Sequence, residues 1–313
     1  MAIDRRAIPD DALESRWCAR DGRALRRIDF PAGGRGSLLF LPGRADCYEK
    51  YLESFGAWAH RGWRVTALDW RDQAGSGRGG LDPLTGHIDD FAIWVEDLAD
   101  FWSQWVATRP APHVLVAHSM GGHLALRAVA ERRLRPDALV LSTPMLGMVA
   151  FGLPERLLRA VARLMVALGD PRRPAWPHAE RPGARAADRM ALLTHDAARY
   201  ADEAWWRAQR PELAMGSPSW GWVSAALASI HALERPGLLE AVREPVLLIG
   251  TRRDRLVRFA AIRAAAGRLP RAELLTLGPE AAHEVLREVD PVRDRVLAAI
   301  DRFLDRTAPA CPA

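Results

Sequence analysis

Lysine is almost missing from this chain of 313 residues. Lys50 is the only one, so nearly all of the 44 residues counted as lysine or arginine are arginines. The 39 aspartates and glutamates are interspersed with them, and the formal net charge of +5 is not gathered into a basic block. Proteins that follow the phosphates of a nucleic acid carry such blocks. We therefore expect no nucleic acid partner.

Cysteine is scarce as well, and its three positions are Cys18, Cys47 and Cys311. An odd number without C-x-x-C spacing argues against a disulfide framework and against a cysteine metal site. The histidines show no H-E-x-x-H spacing, so we expect no metal and no other cofactor. Residues 1–22 are charged and lack the apolar centre of a signal peptide. The expected location is the cytoplasm.

Long apolar runs are absent too. The best candidate, residues 138–153, is short and is interrupted by Ser142, Thr143 and Pro144. A helix needs about 18 to 20 apolar residues to cross a bilayer, so we expect none to do so. With 49% hydrophobic and 27% charged residues, the composition is that of a globular protein. This length suits one catalytic domain that carries an insertion.

Short apolar, β-prone segments alternate with helical patterns through most of the chain. Strands are predicted at residues 37–41, 63–68, 113–117, 138–141, 245–249 and 273–277. Helices are predicted at residues 47–61, 89–108, 120–133, 258–269 and 291–306. Continuous apolar strands of this length are typical of parallel sheets that are covered on both faces. The fold class is therefore α/β, with a mostly parallel, doubly wound sheet.

The alternation stops between residues 144 and 236. Several prolines divide this stretch into helical pieces, and tryptophan is concentrated there. Its tryptophans include Trp176, Trp205, Trp206, Trp220 and Trp222. We interpret the stretch as an insertion between two strands of the sheet. Residues 1–143 and 237–313 then form the core, and residues 144–236 form an inserted helical cap.

Residues 113–122, HVLVAHSMGG, form a strand that turns sharply into a helix. This pattern is the G-x-S-x-G nucleophile elbow, with Ala117 at its first position and Ser119 at its centre. The backbone of such a serine is strained, so the residues two positions away must be small, as Ala117 and Gly121 are. The N–H of Met120, at the amino terminus of the helix, is placed to bind an oxyanion. We predict Ser119 as the nucleophile.

A serine hydroxyl needs a base to accept its proton and an acid to orient that base. In enzymes with a nucleophile elbow, the acid follows a late strand and the histidine precedes the last helix. Asp254 and His283 occupy these places. Three arginines surround Asp254, as in a solvated charged loop, and Glu280 and Glu284 are the alternative acids. The predicted triad is Ser119, Asp254 and His283.

A second oxyanion donor is expected in the loop after the first predicted strand, which has the sequence LPGRAD from Leu41. Gly43 lets the backbone approach the substrate, so the N–H of Arg44 becomes the expected donor beside that of Met120. An ordinary Pro-Gly turn explains the local sequence equally well. The position of the loop in the chain favours the oxyanion hole.

These motifs resemble the lysophospholipase and monoacylglycerol-lipase branch of the α/β-hydrolases, also called the serine aminopeptidase-like group. The matching segments are LPGRADCYEKY from Leu41, LDWRDQAGSGR from Leu68, VAHSMGGHLALR from Val116, PVLLIGTRRDRLV from Pro245 and AAHEVLRE from Ala281. They span most of the core and leave the insertion almost unmatched. The chain departs from the family pattern at Pro42, Asp72, Ala74 and Ala117. None of these departures removes a group that the chemistry needs.

The resemblance implies an α/β-hydrolase fold, a helical cap over Ser119 and a small lipid or ester as substrate. A lysophospholipid or a monoacylglycerol is the preferred substrate. Trp205 and Trp206 are expected either to bind the acyl chain or to fill the interior of the cap. Residues 153–168, LPERLLRAVARLMVAL, have an amphipathic pattern. Such a helix either packs on its own protein or makes peripheral contact with an anionic membrane.

Other functions use the same fold. A short-chain esterase or an aminopeptidase would have the same triad. The peptidase would also need cap carboxylates to bind a substrate amine, with Asp188, Asp202 and Glu203 as candidates. A ligand-binding protein would keep the fold without turnover, although an intact triad argues against it.

Overall fold

The computed structural model of the protein describes residues 3–31, 33–149, 154–176 and 186–310. Its centre is a sheet of eight strands. The strands are β1 (Leu13–Cys18), β2 (Ala24–Phe30), β3 (Gly36–Leu41), β4 (Trp63–Leu68), β5 (His113–His118), β6 (Ala138–Ser142), β7 (Val246–Thr251) and β8 (Ala272–Leu277). Side by side, they follow the order β1, β2, β4, β3, β5, β6, β7, β8.

The six strands from β3 to β8 are parallel to one another, which confirms the predicted mostly parallel sheet. Each lies within one or two residues of a predicted strand. In β3, β6 and β7 every residue is buried, as expected for strands that are covered on both faces. The parallel arrangement brings the carboxyl ends of all six strands to one edge of the sheet.

Strands β1 and β2 form an antiparallel hairpin at the edge of the sheet, beside β4. No strand was predicted here, because five of the six residues of β1 are exposed and the strand lacks an apolar run. The available signal was the turn, which contains Asp21 and Gly22. Gly22 has a φ of +81°, and an Asp-Gly pair is a frequent hairpin turn.

Helices cover both faces of the sheet. They are α1 (Leu52–His60), α2 (Phe91–Thr108), α3 (Ser119–Ala130), α4 (Glu155–Ala167), α5 (Ala186–Leu193), α6 (Ala197–Gln209), α7 (Trp220–Leu233), α8 (Phe259–Arg268) and α9 (Asp290–Thr307). Leu38 and Phe40 of β3 belong to the apolar cluster that contains α1 and α9. Leu39 and Leu41 belong to the cluster that contains α2, α3 and α8. This alternation along one strand confirms the doubly wound architecture.

Helices α4 to α7 lie between β6 and β7, within the predicted cap segment. The last of them, α7, packs directly on α2 and α3. The rings of Phe91 and Trp222 are 5.6 Å apart, and Ser229 Oγ lies 2.6 Å from His123 Nε2. Part of the insertion thus shares the main apolar core, because α7 has a strongly apolar sequence. The boundaries of the cap at residues 144 and 236 stay a prediction.

The amphipathic segment at residues 153–168 includes α4; residue 153 lies outside the described residues. Leu158 and Ala162 are buried, and α4 packs on α7. The opposite side of the helix and its carboxyl end leave Leu157, Leu164 and Leu168 exposed, by 48%, 55% and 72%. In the described part of the chain, no helix combines the length and apolar character needed to cross a membrane.

Candidate active site

Four loops meet at the carboxyl edge of the parallel strands. Three follow β3, β7 and β8 and carry Gly43, Asp254 and His283, and the fourth is the tight turn from β5 into α3, where the helix begins at Ser119. Ligands and catalytic groups of open α/β sheets gather at this edge, because neighbouring strands deliver their loops to the same place. All of the predicted catalytic and oxyanion residues lie in these loops or at the start of α3.

Ser119 occupies a strained turn between β5 and α3. Its φ is +50°, which is rare for a residue with a side chain. The turn brings α3 against the loop after β3. A Cβ atom at Gly121 would lie 2.4 Å from the carbonyl oxygen of Pro42, so only glycine is tolerated there without movement. Ala117 is completely buried, which explains the need for a small residue on the other side of Ser119.

The structure brings the three predicted triad residues together. His283 Nε2 lies 2.9 Å from Ser119 Oγ, and His283 Nδ1 lies 2.7 Å from Asp254 Oδ2. The second carboxylate oxygen of Asp254 accepts hydrogen bonds from the backbone N–H groups of Leu256 and Val257, at 2.8 and 2.9 Å. These bonds fix the carboxylate, which in turn orients the imidazole. The order of contacts is that of a serine, a base and an orienting acid.

Electrostatics in the triad favour a charged pair of Asp254 and His283. Burial alone raises the pKa of Asp254, but the neighbouring imidazole and two backbone N–H groups lower it below its ordinary value. Burial lowers the pKa of His283, and the Asp254 carboxylate outweighs this effect and raises the pKa. The Asp254 carboxylate is therefore placed to stabilise a positively charged His283 ring.

The loop after β3 packs directly on the nucleophile. A Cβ atom at Gly43 would lie 3.1 Å from Ser119 Cβ, so this backbone passes as close to the serine as an oxyanion donor must. The guanidinium of Arg44 donates to the carbonyl oxygen of Gly216 and lies 5.3 Å from the centre of the Trp222 ring. Met120 is the second residue of α3 and lies in its first turn, where N–H groups lack helical acceptors. The oxyanion roles of the N–H groups of Arg44 and Met120 stay predictions.

Two side chains that support these loops were not predicted from the sequence. Thr143, in a left-handed conformation after β6, donates from Oγ1 to the carbonyl oxygen of His283 at 2.8 Å. Gln73 Oε1 accepts a hydrogen bond from Ala45 N at 2.9 Å and so helps to fix the backbone of the loop after β3. Both side chains are buried. Their partners are distant in sequence, so no local motif marks them.

His118, the neighbour of Ser119 in the chain, is buried. Its ring centre lies 4.9 Å from that of His283, and its Nδ1 lies 3.2 Å from Thr143 Oγ1. Burial and the nearby His283 lower the pKa of His118 to about 4. At neutral pH it is therefore an uncharged ring that supports the base without competing for protons.

Trp205 and Trp206 were expected in the acyl pocket or in the interior of the cap. Trp206 is buried, and its indole nitrogen donates to the carbonyl oxygen of Arg5 at 2.9 Å. The two rings are 4.9 Å apart, with Arg6 stacked on Trp205 and Arg210 on Trp206. None of these contacts involves a triad residue. They favour the packing alternative, and substrate binding by the pair stays a prediction.

The cap carboxylates that a peptidase would need are engaged with basic side chains. Asp202 accepts from Arg5 and Arg6, each at 2.6 Å. Glu203 is buried and forms ion pairs with Lys50, Arg189 and Arg207. The side chain of Asp188 lies outside the described residues. Within the described residues, no group of histidine, cysteine and acidic side chains is arranged to hold a metal ion.

Comparison with known families gives one match over most of the chain. Residues 33–290 match the family described as Serine aminopeptidase, S33. The matched range contains all four loops of the site and the predicted cap. It ends at the start of α9, the helix that follows the His283 loop.

The chain is also similar to curated bacterial proteins over nearly its whole length. It is 30% identical to lysophospholipase L2 of Escherichia coli, an alignment that covers 94% of this chain and 87% of the relative. It is 26% identical to the probable lysophospholipase L2 of Haemophilus influenzae, with coverage of 90% and 88%.

Among solved structures, the fold is similar to that of two lipases. Monoglyceride lipase from Saccharomyces cerevisiae, crystallised with a substrate analogue, superposes with a TM-score of 0.75 at 16% identity, covering 97% of this chain and 99% of that one. Monoacylglycerol lipase from Paleococcus ferrophilus superposes with a TM-score of 0.70 at 16% identity, covering 90% and 98%. At such low identity, these likenesses establish the shared α/β-hydrolase fold.

Proposed function

This chain belongs to the Serine aminopeptidase, S33 family of α/β-hydrolases, and from that premise we propose that it is a serine ester hydrolase acting on lysophospholipids, with monoacylglycerols as the second candidate. One observation carries the chemistry: His283 contacts both Ser119 Oγ and the Asp254 carboxylate, at 2.9 and 2.7 Å. The similarity to lysophospholipase L2 along nearly the whole chain supports the choice of substrate.

The proposed reaction proceeds in two halves. His283 accepts the proton of Ser119 as Oγ attacks the ester carbonyl, and the N–H groups of Arg44 and Met120 stabilise the resulting oxyanion. The intermediate collapses as His283 gives the proton to the leaving glycerol oxygen, which leaves an acyl-serine. Water, deprotonated by His283, then attacks the acyl carbonyl, and His283 returns the proton to Ser119 Oγ as the ester bond to the serine breaks and the fatty acid leaves. Asp254 stays ionised throughout, in keeping with its lowered pKa.

The aminopeptidase alternative receives less support from the site. A peptidase that releases amino-terminal residues needs an unengaged carboxylate to bind the substrate amine. Asp202 and Glu203 are each paired with two or more basic side chains. Freeing either would leave buried charges without partners, which costs several kcal/mol. Ester hydrolysis needs no such rearrangement.

The proposed place of action is the cytoplasm, at a membrane surface. The thiols of Cys18 and Cys47 form no disulfide, which suits a reducing compartment. The exposed leucines of α4 form a ready apolar contact for lipid, with exposed Arg156 and Arg163 on the same helix to meet anionic headgroups. Peripheral contact through α4 would bring the enzyme to lipids that reside in a bilayer.

The test is a hydrolysis panel with the wild type and Ser119→Ala. The panel contains lysophosphatidylcholine, monoacylglycerol, p-nitrophenyl acetate and an aminoacyl p-nitroanilide. We expect the wild type to prefer the lysophospholipid and the variant to lose turnover by roughly 10⁶-fold in kcat, because no nucleophile remains. Circular dichroism should show an unchanged fold, since alanine fits the tight turn.

Two outcomes would contradict the proposal. Near wild-type turnover by the folded Ser119→Ala variant would remove Ser119 from the chemistry. A wild type that cleaves the anilide faster than every ester would establish the peptidase alternative. Labelling of the wild type by a fluorophosphonate, absent in the variant, separates an enzyme with a different substrate from a non-catalytic binding protein.

A further inference from the structure

The only lysine of the chain is among its most buried charged side chains. Lys50 lies in a 3₁₀ turn, Tyr48–Tyr51, between the loop after β3 and α1, and its side chain is 2% exposed. Lysines usually lie at the surface, where water solvates the ammonium group. A buried lysine needs compensating negative charge. In a chain that otherwise uses arginine, this position calls for a specific explanation.

Three carboxylates surround the ammonium of Lys50, and each comes from a different part of the molecule. Asp46 Oδ1 lies 2.8 Å from Nζ, Glu284 Oε1 lies 2.6 Å away and Glu203 Oε2 lies 3.2 Å away. Burial alone lowers the pKa of Lys50, but the three carboxylates raise it above its ordinary value. The group therefore stays charged, as a fixed point to which all three segments are attached.

The first segment is the loop that packs on the nucleophile. Asp46 Oδ2 accepts a hydrogen bond from Gly43 N at 3.1 Å and from the hydroxyl of Tyr51 at 2.7 Å. Gly43 precedes Arg44, the expected oxyanion donor, and a Cβ atom added to it would lie 3.1 Å from Ser119 Cβ. Lys50 thus binds Asp46, and Asp46 binds the backbone of the loop after β3 that contains Gly43 and Arg44, called the oxyanion loop below.

The second segment carries the catalytic base. Glu284 follows His283 directly, and its carboxylate is shared between Lys50 and Arg287. Burial raises the pKa of Glu284, but Lys50 and Arg287 outweigh this effect and lower it to about 2. The loop is also attached to the cap, because the backbone N–H groups of His283 and Glu284 donate to carbonyl oxygens at the end of α5.

The third segment is cap helix α6, through Glu203. Three other basic side chains, Arg189, Arg207 and Arg287, also pair with this carboxylate. Glu203 therefore keeps other ion-pair partners when Lys50 is lost. Among its described contacts, Asp46 has no second basic partner, because its other contacts are with neutral N–H and O–H groups.

We propose that Lys50 is a positioning residue that sets the oxyanion loop and the His283 loop in their relative places beneath the cap. This role rests on the proposed function, because it concerns the geometry in which Ser119 and His283 react. Lys50 touches neither the substrate nor the reacting atoms. Its loss should release Asp46 first and then the Gly43–Arg44 peptide, and a displacement of about 1 Å in such a group lowers rates by roughly 10²-fold.

The experiment compares Lys50→Met, which keeps the unbranched stem and removes the ammonium, with Glu49→Gln. Glu49 is the neighbouring buried residue of the same turn, and it pairs with Arg26 and Arg210 on the other side. Both variants break a buried ion pair, but only Lys50 reaches the two catalytic loops. Three readouts serve: kcat and KM for p-nitrophenyl butyrate, the rate of Ser119 phosphonylation by a fluorophosphonate, and the melting temperature.

We expect Lys50→Met to lower kcat and the phosphonylation rate about 100-fold, with KM changed less than threefold. Glu49→Gln should lower the melting temperature and leave kcat within about twofold of the wild type. A folded Lys50→Met protein whose kcat and phosphonylation rate match those of Glu49→Gln would overturn the positioning role.

A charge-matched pair covers the case in which Lys50→Met does not fold. Lys50→Met combined with Glu203→Gln removes one positive and one negative charge, and it is compared with Glu203→Gln alone. We expect the double variant to have about 100-fold lower kcat than Glu203→Gln, and equal kcat values would overturn the positioning role.

A wild type that does not react with the fluorophosphonate would overturn the proposed function and the positioning role together. A reactive wild type matched by its Lys50 variants would overturn only the latter.

Discussion

Helices α6 and α4 belong to the same predicted cap, yet they are held in opposite ways. The buried side chains of α6 are mostly charged: Arg199, Asp202 and Glu203 are buried together with Trp206. Arg199 pairs with Glu53 of the core at 2.8 Å and donates to the backbone of the loop after His283. Each pair has one geometry in which it is satisfied. These directional ion pairs and hydrogen bonds therefore set the position of α6 on the core, in addition to its packing contacts.

Helix α4 packs through an apolar side, and one ion pair, between Glu155 and Arg258, joins its amino terminus to the core. Leu158 and Ala162 are its buried residues, and the helix packs on α7. Apolar contact is not directional, so it specifies position less sharply than a set of buried ion pairs. From the difference between the helices we expect a division of roles, in which α6 fixes the predicted cap to the site and α4 presents the proposed lipid contact.

The largest loss of activity is expected from a substitution in the core, outside both helices. If neither helix supplies a reacting group, the largest losses must follow changes in the triad. We expect Asp254→Asn to lower kcat for p-nitrophenyl butyrate about 10⁴-fold, because the amide no longer holds the imidazole in the required tautomer and charge state. A loss below tenfold would mean that another acid, such as Glu284, orients His283.

The same variant should shift the pH profile. His283 must be neutral to act as a base, so the wild type should gain kcat/KM as the pH rises through its pKa, which Asp254 holds above the ordinary value of 6.5. Without the carboxylate, burial dominates and the pKa falls. The acid limb of the kcat/KM profile should therefore move to lower pH in Asp254→Asn. An unmoved limb would assign it to a different group.

A change in α6 should have the next largest effect, on stability. Trp206 is 4% exposed, and Trp206→Ala should lower the free energy of unfolding by about 3 kcal/mol or more, measured by urea denaturation. Because its contacts are with residues outside the triad, kcat/KM for butyrate and palmitate esters should fall by the same factor. A loss confined to long-chain esters would assign Trp206 to the acyl pocket.

A change in α4 should have the smallest effect on the folded protein. Replacing Leu164 and Leu168 with serine removes exposed apolar groups, so each change should alter the free energy of unfolding by no more than about 0.5 kcal/mol. Binding to phosphatidylglycerol vesicles, measured by sedimentation, should weaken several-fold, with kcat for soluble p-nitrophenyl butyrate unchanged. Equal vesicle binding by variant and wild type would remove α4 as the membrane contact.

The sequence predicted those parts of the molecule whose signals are local. The apolar runs marked β3 to β8, and the elbow around Ser119 together with chain order selected Asp254 and His283, which the structure places in mutual contact. The edge hairpin of β1 and β2 escaped prediction because an edge strand can be polar and exposed. The role of Trp206 stayed ambiguous, because the same indole can pack or bind and only its tertiary neighbours decide.

The network around Lys50 could not have been predicted from motifs. Its members stand at positions 46, 50, 203 and 284, and each one alone suggests a solvated surface charge. Burial becomes favourable only when the fold brings opposite charges together. One compositional hint existed: a chain that uses arginine almost everywhere retains a lysine at a single position.

The single lysine also makes local opening of the folded chain measurable by proteolysis. A protease specific for lysine has one cleavage site here, the bond between Lys50 and Tyr51. Both residues are buried, so cleavage requires the turn to open. When reclosing outpaces cutting, the rate of this one cut measures the free energy of local opening. Ligands that bind only the closed form should slow it, which makes the motion of this region measurable without any label.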